Sequence, residues 1–196
     1  MDIGAYEGYW TLDLLEVFPS ARVMMVDAQK NKATFLEKIK KQYPATEYCI
    51  SLLSAVDGEE RYFCENETDS HISNAPVQDL PCYVMQTRNL DSLLKETGFP
   101  LPDLLKLDVQ GHEIEVLKGA SAALSHAEIC LLEVTLFDMG NSSPLFLDVL
   151  NFMENKGFQV YDISQFMRRP FDKTLYQVDM FFVKKDSHLV TEKRWD

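Results

Sequence analysis

The chain has no Cys-x-x-Cys pair. Its four cysteines, Cys49, Cys64, Cys82 and Cys130, are widely spaced and lie in or beside apolar runs. This excludes the common zinc frameworks, reads each thiol as a small buried hydrophobe, and points to a reducing compartment. There is no N-terminal secretory signal and no apolar run long enough to cross a bilayer. The expected location is therefore cytoplasmic, with no membrane partner. Without a secretory route, the sequons at Asn66 and Asn141 read as chance matches. Positive charge is scarce: 19 Lys and Arg against 31 Asp and Glu give a net charge of −12. A nucleic-acid backbone is disfavoured as a partner. No Gly-x-Gly-x-x-Gly loop occurs, which removes the signature of a nicotinamide-dependent oxidoreductase. No internal repeat, low-complexity tract or linker is present. At 196 residues and 46% hydrophobic content, the chain suits a single domain over residues 1–196.

What is present begins at once. Asp2-Ile3-Gly4-Ala5-Tyr6-Glu7-Gly8 places an acid, then two glycines where backbone can turn tightly or approach a ligand. Apolar periodicity follows at Leu12, Leu14, Leu15 and Phe18, and Pro19 ends it. The loop thus empties into a helix N-terminus, whose free N–H groups attract a carboxylate or phosphate. The Gly-x-x-x-Gly spacing points to S-adenosylmethionine (SAM) rather than to a nicotinamide cofactor.

Buried strands are predicted at 22–27, a short apolar run closed by an acid, within 47–56, at 104–109, ending near an acid, and at 129–134. Residues 61–64 and 83–87 read as further strands. Helices are predicted over 31–43, around 93–95 with Asn89 or Asp91 as cap, from Gly111 through Leu124, and over 144–156 before Gly157. Residues 158–163 and 176–183 close the chain as an antiparallel pair. The polar stretch 65–81 is the longest loop and reads as a lid. The alternation gives an α/β fold: a doubly wound, Rossmann-like sheet, mostly parallel. Asp27, Asp108 and Glu133 lie at or near strand ends, the edge where ligands bind in such sheets.

Four segments carry a family resemblance. They are Asp-Ile-Gly-Ala-x-x-Gly-x-x-Thr at 2–11, Thr87-Arg88-Asn89-Leu90-Asp91-Ser92-Leu93-Leu94, the block from Leu105 to Ala120 with Lys106-Leu107-Asp108-Val109-Gln110-Gly111, and Gln177 to Val183. Together the chain resembles the FkbM-type SAM-dependent methyltransferases. The resemblance implies O-methyl transfer from SAM to a hydroxyl of a sugar, glycan or natural product. It implies that Asp2, Gly4, Ala5, Tyr6 and Gly8 line the methionine part of the cofactor, and that Asp27 takes the ribose hydroxyls. Tyr6 stands where the family often has asparagine. Only Met1 precedes Asp2, so the strand this fold needs before the glycine loop is expected to be missing unless another segment fills its place. A missing strand would impair stability or activity. The alternative is a SAM-binding pseudoenzyme or inactive fragment without turnover.

An alcohol is a poor nucleophile, so a base is expected near it. Asp108 is the first candidate for base or acceptor contact, and His71 in the polar loop is the second. His112 reads as an exposed surface residue. Glu113 reads as an acceptor for backbone N–H groups in its own turn, and Glu133 as a substrate contact or a loop anchor. Asp108, Glu113 and Glu133 have oxygen ligands for a divalent cation, but their spacing does not require one, and metal-independent activity is expected. Phe137, Phe146, Phe152 and Phe158 read as core. Lys38, Lys40 and Lys41 read as a solvated helix face, and Arg168-Arg169 as an exposed pair.

Overall fold

The computed structural model describes residues 1–140 and 143–195. The sequon at Asn141 and Ser142 lies outside the described residues. In chain order the strands are β1 (Asp2–Ile3), β2 (Val23–Asp27), β3 (Thr46–Ile50), β4 (Leu52–Leu53), β5 (Glu60–Cys64), β6 (His71–Ser73), β7 (Cys82–Arg88), β8 (Leu104–Leu107), β9 (Ile129–Thr135), β10 (Phe158–Arg168) and β11 (Leu175–Lys184). The helices are α1 (Tyr9–Val17), α2 (Ala33–Gln42), α3 (Leu90–Thr97), α4 (Glu113–Lys118), α5 (Ser121–His126), α6 (Phe146–Asn155) and α7 (His188–Thr191).

The main sheet has seven strands in the order β10-β11-β9-β8-β1-β2-β3. Strands β2 and β8 each pair in parallel with β1, which holds the central place with two residues. Backbone bonds extend that place by one residue: the Met1 ammonium donates to the Leu104 carbonyl at 2.6 Å, and Lys106 N–H donates to the Met1 carbonyl at 3.0 Å. Asp2 and Ile3 are fully buried there. β11 is antiparallel to both β9 and β10, so β11 alone runs against the rest.

Sequence explains most of these elements. Every residue of β2, Val-Met-Met-Val-Asp, is buried, as both faces of a parallel strand require. The α2 face with Leu36 and Ile39 packs on Met25, and Gly8 makes room for it, since a Cβ at Gly8 would strike Ile39. The Asn89 side chain accepts from Ser92 N–H at 2.7 Å and caps α3, and Gly98, at φ 68°, ends it. Asp91 instead caps α5, accepting from Ala122 and Ala123 N–H at 2.8 and 3.1 Å. The single helix expected after Gly111 is therefore two helices. Gly119 separates them, pressed so closely against the Ser54 carbonyl that a side chain would not fit.

A four-stranded second sheet, β4-β7-β5-β6, stands beside the first. The strand expected within 47–56 divides at Ser51, whose N–H donates to the Asp27 carbonyl at 2.8 Å, so β3 joins one sheet and β4 the other. The cysteine reading needs correction. Cys130 is buried and Cys49 half-buried, but Cys64 and Cys82 form a disulfide. The antiparallel register of β5 and β7 places these two residues directly opposite, which no linear spacing reveals. The cysteines thus give no support to a reducing compartment. No helix among the described residues is long and apolar enough to cross a membrane.

Candidate active site

A cleft of about 330 Å³ opens at the carboxyl ends of β1, β2 and β8. Its floor is Ile3, Gly4 and Val26, and its roof is Thr68 to Ile72 from the polar loop. One wall carries Asp27, Ala28 and Gln29, and the opposite wall carries Asp108, Val109, Gln110, His112, Glu133 and Gln177.

The glycine loop is shaped by its backbone. Gly4, at φ 75°, lies so near the turn after β8 that a Cβ would fall on the Asp108 carbonyl oxygen. Tyr6 is itself left-handed, at φ 50°. That turn aims Tyr6 N–H at Asp27 Oδ2, 2.6 Å away, while Gln29 N–H donates to Asp27 Oδ1 at 2.7 Å. Burial raises the Asp27 pKa against the pull of these two donors. Among the described residues no cationic side chain pairs with Asp27. Its carboxylate therefore faces the cleft with a lone pair free on each oxygen.

Of the residues expected to hold the cofactor, Gly4, Tyr6 and Asp27 line the cleft. Asp2, Ala5 and Gly8 do not. Asp2 is fully buried, its Oδ2 accepting from Thr11 at 2.7 Å and its Oδ1 3.2 Å from the Lys106 ammonium. It fastens α1 and β8 to the central strand. Ala5 is buried in the core beside α2, and Gly8 serves packing.

The far wall is a hydrogen-bonded chain of carboxylates and amides. Gln110, left-handed at φ 52°, donates through Nε2 to Asp108 Oδ1 at 3.1 Å and to Glu133 Oε2 at 3.3 Å. Gln177 Nε2 donates to the same Glu133 oxygen at 3.0 Å. Burial pushes the Glu133 pKa far up, and Asp108, Glu113 and Asp179 add to the shift. Lys106 lies behind, 3.6 Å from Asp108. Asp108 itself is half-exposed. Glu113 accepts from Val109 and Gly111 N–H at 3.0 and 3.3 Å, the anchoring task expected of it, and burial raises its pKa to about 7. Its carboxylate is thus turned into the backbone. Among the described residues no cluster of His, Cys, Asp or Glu is arranged to hold a metal ion.

His71 lies at the cleft's roof, with Nδ1 2.9 Å from the Asp69 carbonyl. The reading of His112 as an exposed residue is corrected. It is half-buried, lines the cleft, and its Nε2 lies 3.0 Å from Ser54 Oγ. Burial lowers its pKa. Its place just beyond the carboxyl end of β8 was the available signal. Two other residues escaped the sequence. Lys32 is buried, bonded to Glu7 and Glu67 at 3.2 and 3.1 Å, with its ammonium 3.9 Å from the centre of the Tyr6 ring. Gln177, near the start of the reversed strand, opens the fourth segment of the resemblance, but no site role is read from it. Arg169, read as part of an exposed pair, forks onto Asp172 at 3.1 and 2.5 Å.

Residues 2–160 match the family model described as the methyltransferase FkbM domain. The chain belongs to the FkbM methyltransferase family. Its fold is the α/β fold of such enzymes. The crystal structure of methyltransferase FkbM from Methylobacillus flagellatus superposes with a TM-score of 0.60 at 17% identity, covering 91% of this chain and 42% of that one. Magnesium protoporphyrin IX methyltransferase from Synechocystis, solved with bound S-adenosylhomocysteine (SAH), gives a TM-score of 0.54 at 14% identity over 93% of this chain and 72% of that one. A stretch of 50 residues is 38% identical to the hexuronic acid methyltransferase AglP of Haloferax volcanii, covering 26% of this chain and 21% of that protein. The chain thus spans less than half of the FkbM structure and about a fifth of the curated relative.

Proposed function

We propose that this chain transfers a methyl group from SAM to a hydroxyl of a sugar, glycan or natural product. The observation that carries the reading is the Asp27 carboxylate, buried at the end of β2, without a cationic partner among the described residues, and open to the cleft. A vicinal diol supplies the two donors that its free lone pairs accept. The residues present fit SAM. Asp27 would hold the ribose, Ala28 and Leu52 would flank the base, and the Gly4–Tyr6 turn would meet the amino-acid end.

SAM supplies an activated methyl group, so the chain's task is alignment and proton removal. Asp108 and Glu133 share the donor Gln110, which brings both carboxylates to the acceptor side. Asp108, half-exposed and beside the Lys106 ammonium, takes the hydroxyl proton. Glu133, its pKa raised by burial, keeps a proton and orients the acceptor oxygen. His71 at the roof is the second candidate base. Asp2, Ala5 and Gly8 support this geometry from behind. The reaction proceeds without a metal, so chelator leaves the rate unchanged.

Calorimetric titration of SAH into the chain, with Asp27→Ala as control, tests the reading. Binding that the substitution abolishes supports it. Binding that survives the substitution removes Asp27 from the site. Binding with no turnover on any hydroxylated acceptor favours the pseudoenzyme alternative.

A further inference from the structure

We propose that the acceptor end of this cleft admits neutral or cationic hydroxylated groups and rejects anionic ones such as uronates, with Asp108 and Glu133 setting the preference. The proposal rests on the methyl-transfer reading above and names its acceptor class.

The charge of the lining is one-sided. Asp27, Asp69, Asp108 and Glu133 face the cleft, and no Lys or Arg is among the residues that line it. The cations close by are already matched. The Lys106 ammonium sits 3.2 Å from Asp2, 3.6 Å from Asp108 and 3.0 Å from the Gly4 carbonyl. Lys32 is held between Glu7 and Glu67. Arg169 is forked onto Asp172, and Arg61 is paired with Glu59. His112 is held toward its neutral form by burial. The single net positive charge of bound SAM does not balance the lining as a whole, which keeps the carboxylates of Asp27, Asp69 and Asp108 even with a proton resident on Glu133.

Hydrogen-bond capacity points the same way. The amides of Gln110 and Gln177 spend donors on Glu133 Oε2, and Gln110 spends another on Asp108. What these two amides leave toward the acceptor on this wall is the remaining lone pairs of Asp108 and Glu133. A hydroxyl or ammonium brings the donor they need. A carboxylate brings only acceptors, loses its water, and faces like charge at short range, a juxtaposition that strongly suppresses a wrong partner. By this argument the partial likeness to a hexuronic acid methyltransferase does not extend to the charge of the acceptor.

The test uses SAH-saturated protein and matched methyl glycosides that differ at one position: a hexoside, its amino-sugar counterpart and its uronate. Dissociation constants are read by calorimetry or ligand-observed NMR. The uronate is expected to bind at least tenfold more weakly than the hexoside. In Asp108→Asn/Glu133→Gln that ratio should fall severalfold while SAH affinity holds. Equal or tighter uronate binding overturns the proposal. So does a ratio unmoved by the double substitution, or failure of every glycoside to bind protein that holds SAH. Failure of SAH itself to bind overturns the methyl-transfer reading instead, and is visible before any glycoside is added.

Discussion

The Tyr6 phenol donates to Glu67 Oε2 at 2.6 Å and so ties the glycine loop to the roof of the cleft. Lys32 completes the tie from below, and Gln29 Nε2 donates to the Glu67 carbonyl at 3.0 Å. Glu67 takes a left-handed φ of 49°, an unusual conformation for such a residue. This latch would retain a cofactor already in place. Tyr6→Phe and Glu67→Gln are each expected to raise the SAH dissociation rate roughly two- to fivefold, the scale of an exposed contact, with little change in melting temperature. Stopped-flow displacement of SAH measures the rate. An unchanged rate in both variants would show that the roof closes without the latch.

The Cys64–Cys82 disulfide pins both ends of the roof. Closing a loop of this size stabilises a fold by about 3 kcal/mol in the chain-entropy model. Reduction should lower the melting temperature, speed proteolytic cutting within 65–81 and weaken SAH binding. Alkylation followed by mass spectrometry checks the premise: Cys49 and Cys130 react in the denatured chain directly, and Cys64 and Cys82 only after reductant.

Asp2 and Asp27 separate fold from function. Asp2→Asn removes one partner of a buried ion pair and leaves Lys106 with Asp108 alone, so it should cost about 3–5 kcal/mol of stability. Asp27→Asn sets an amide NH2 against one of the two N–H donors, Tyr6 or Gln29, yet should cost less stability than Asp2→Asn, since no cation is left unpaired, while SAH affinity falls at least tenfold. Chemical denaturation and calorimetry on both variants decide the matter. The opposite pattern would make Asp2 the ligand contact.

Stability should fall as pH rises through neutrality. Glu113 has a folded pKa near 7, against an ordinary value of 4.5, and Glu133 is shifted in the same direction. The native state therefore holds protons that the unfolded chain releases. Their stabilisation is complete below about pH 4.5 and is lost as pH rises through the folded values. For Glu113 the change is about 3 kcal/mol. Glu113→Gln keeps an acceptor for Val109 and Gly111 but does not titrate, so its melting temperature should decline less between pH 5 and pH 8. Parallel curves for the two proteins would refute the assignment.

The main sheet was legible because strands buried on both faces read as short apolar runs, as in Val23–Val26 and Ile129–Leu132. The acids that close or follow such strands, Asp27 and Asp108, mark the cleft edge in the sequence itself. Less legible was whatever depends on residues meeting across sequence. Asp2 and Asp27 look alike in a motif, but only register shows that one faces Lys106 inside the sheet and the other faces the cleft. Cys64 and Cys82 meet through strand pairing, and Gly119 must lack a side chain because of the Ser54 carbonyl, far away in sequence. Lys32 carries no signal of its own in the sequence, and lies buried with two acids and a ring around it.

Because β11 runs against its neighbours, its first residues rather than its last reach the cleft edge, opposite the end of β9. Gln177 and Met167 arrive there from the two sides of a hairpin whose tip, 169–174, is exposed but for Arg169, which lies over the Phe137 ring. Under the proposed reading, substitution at this hairpin would alter the acceptor side of the cleft while the glycine loop, anchored on β1, stays in place.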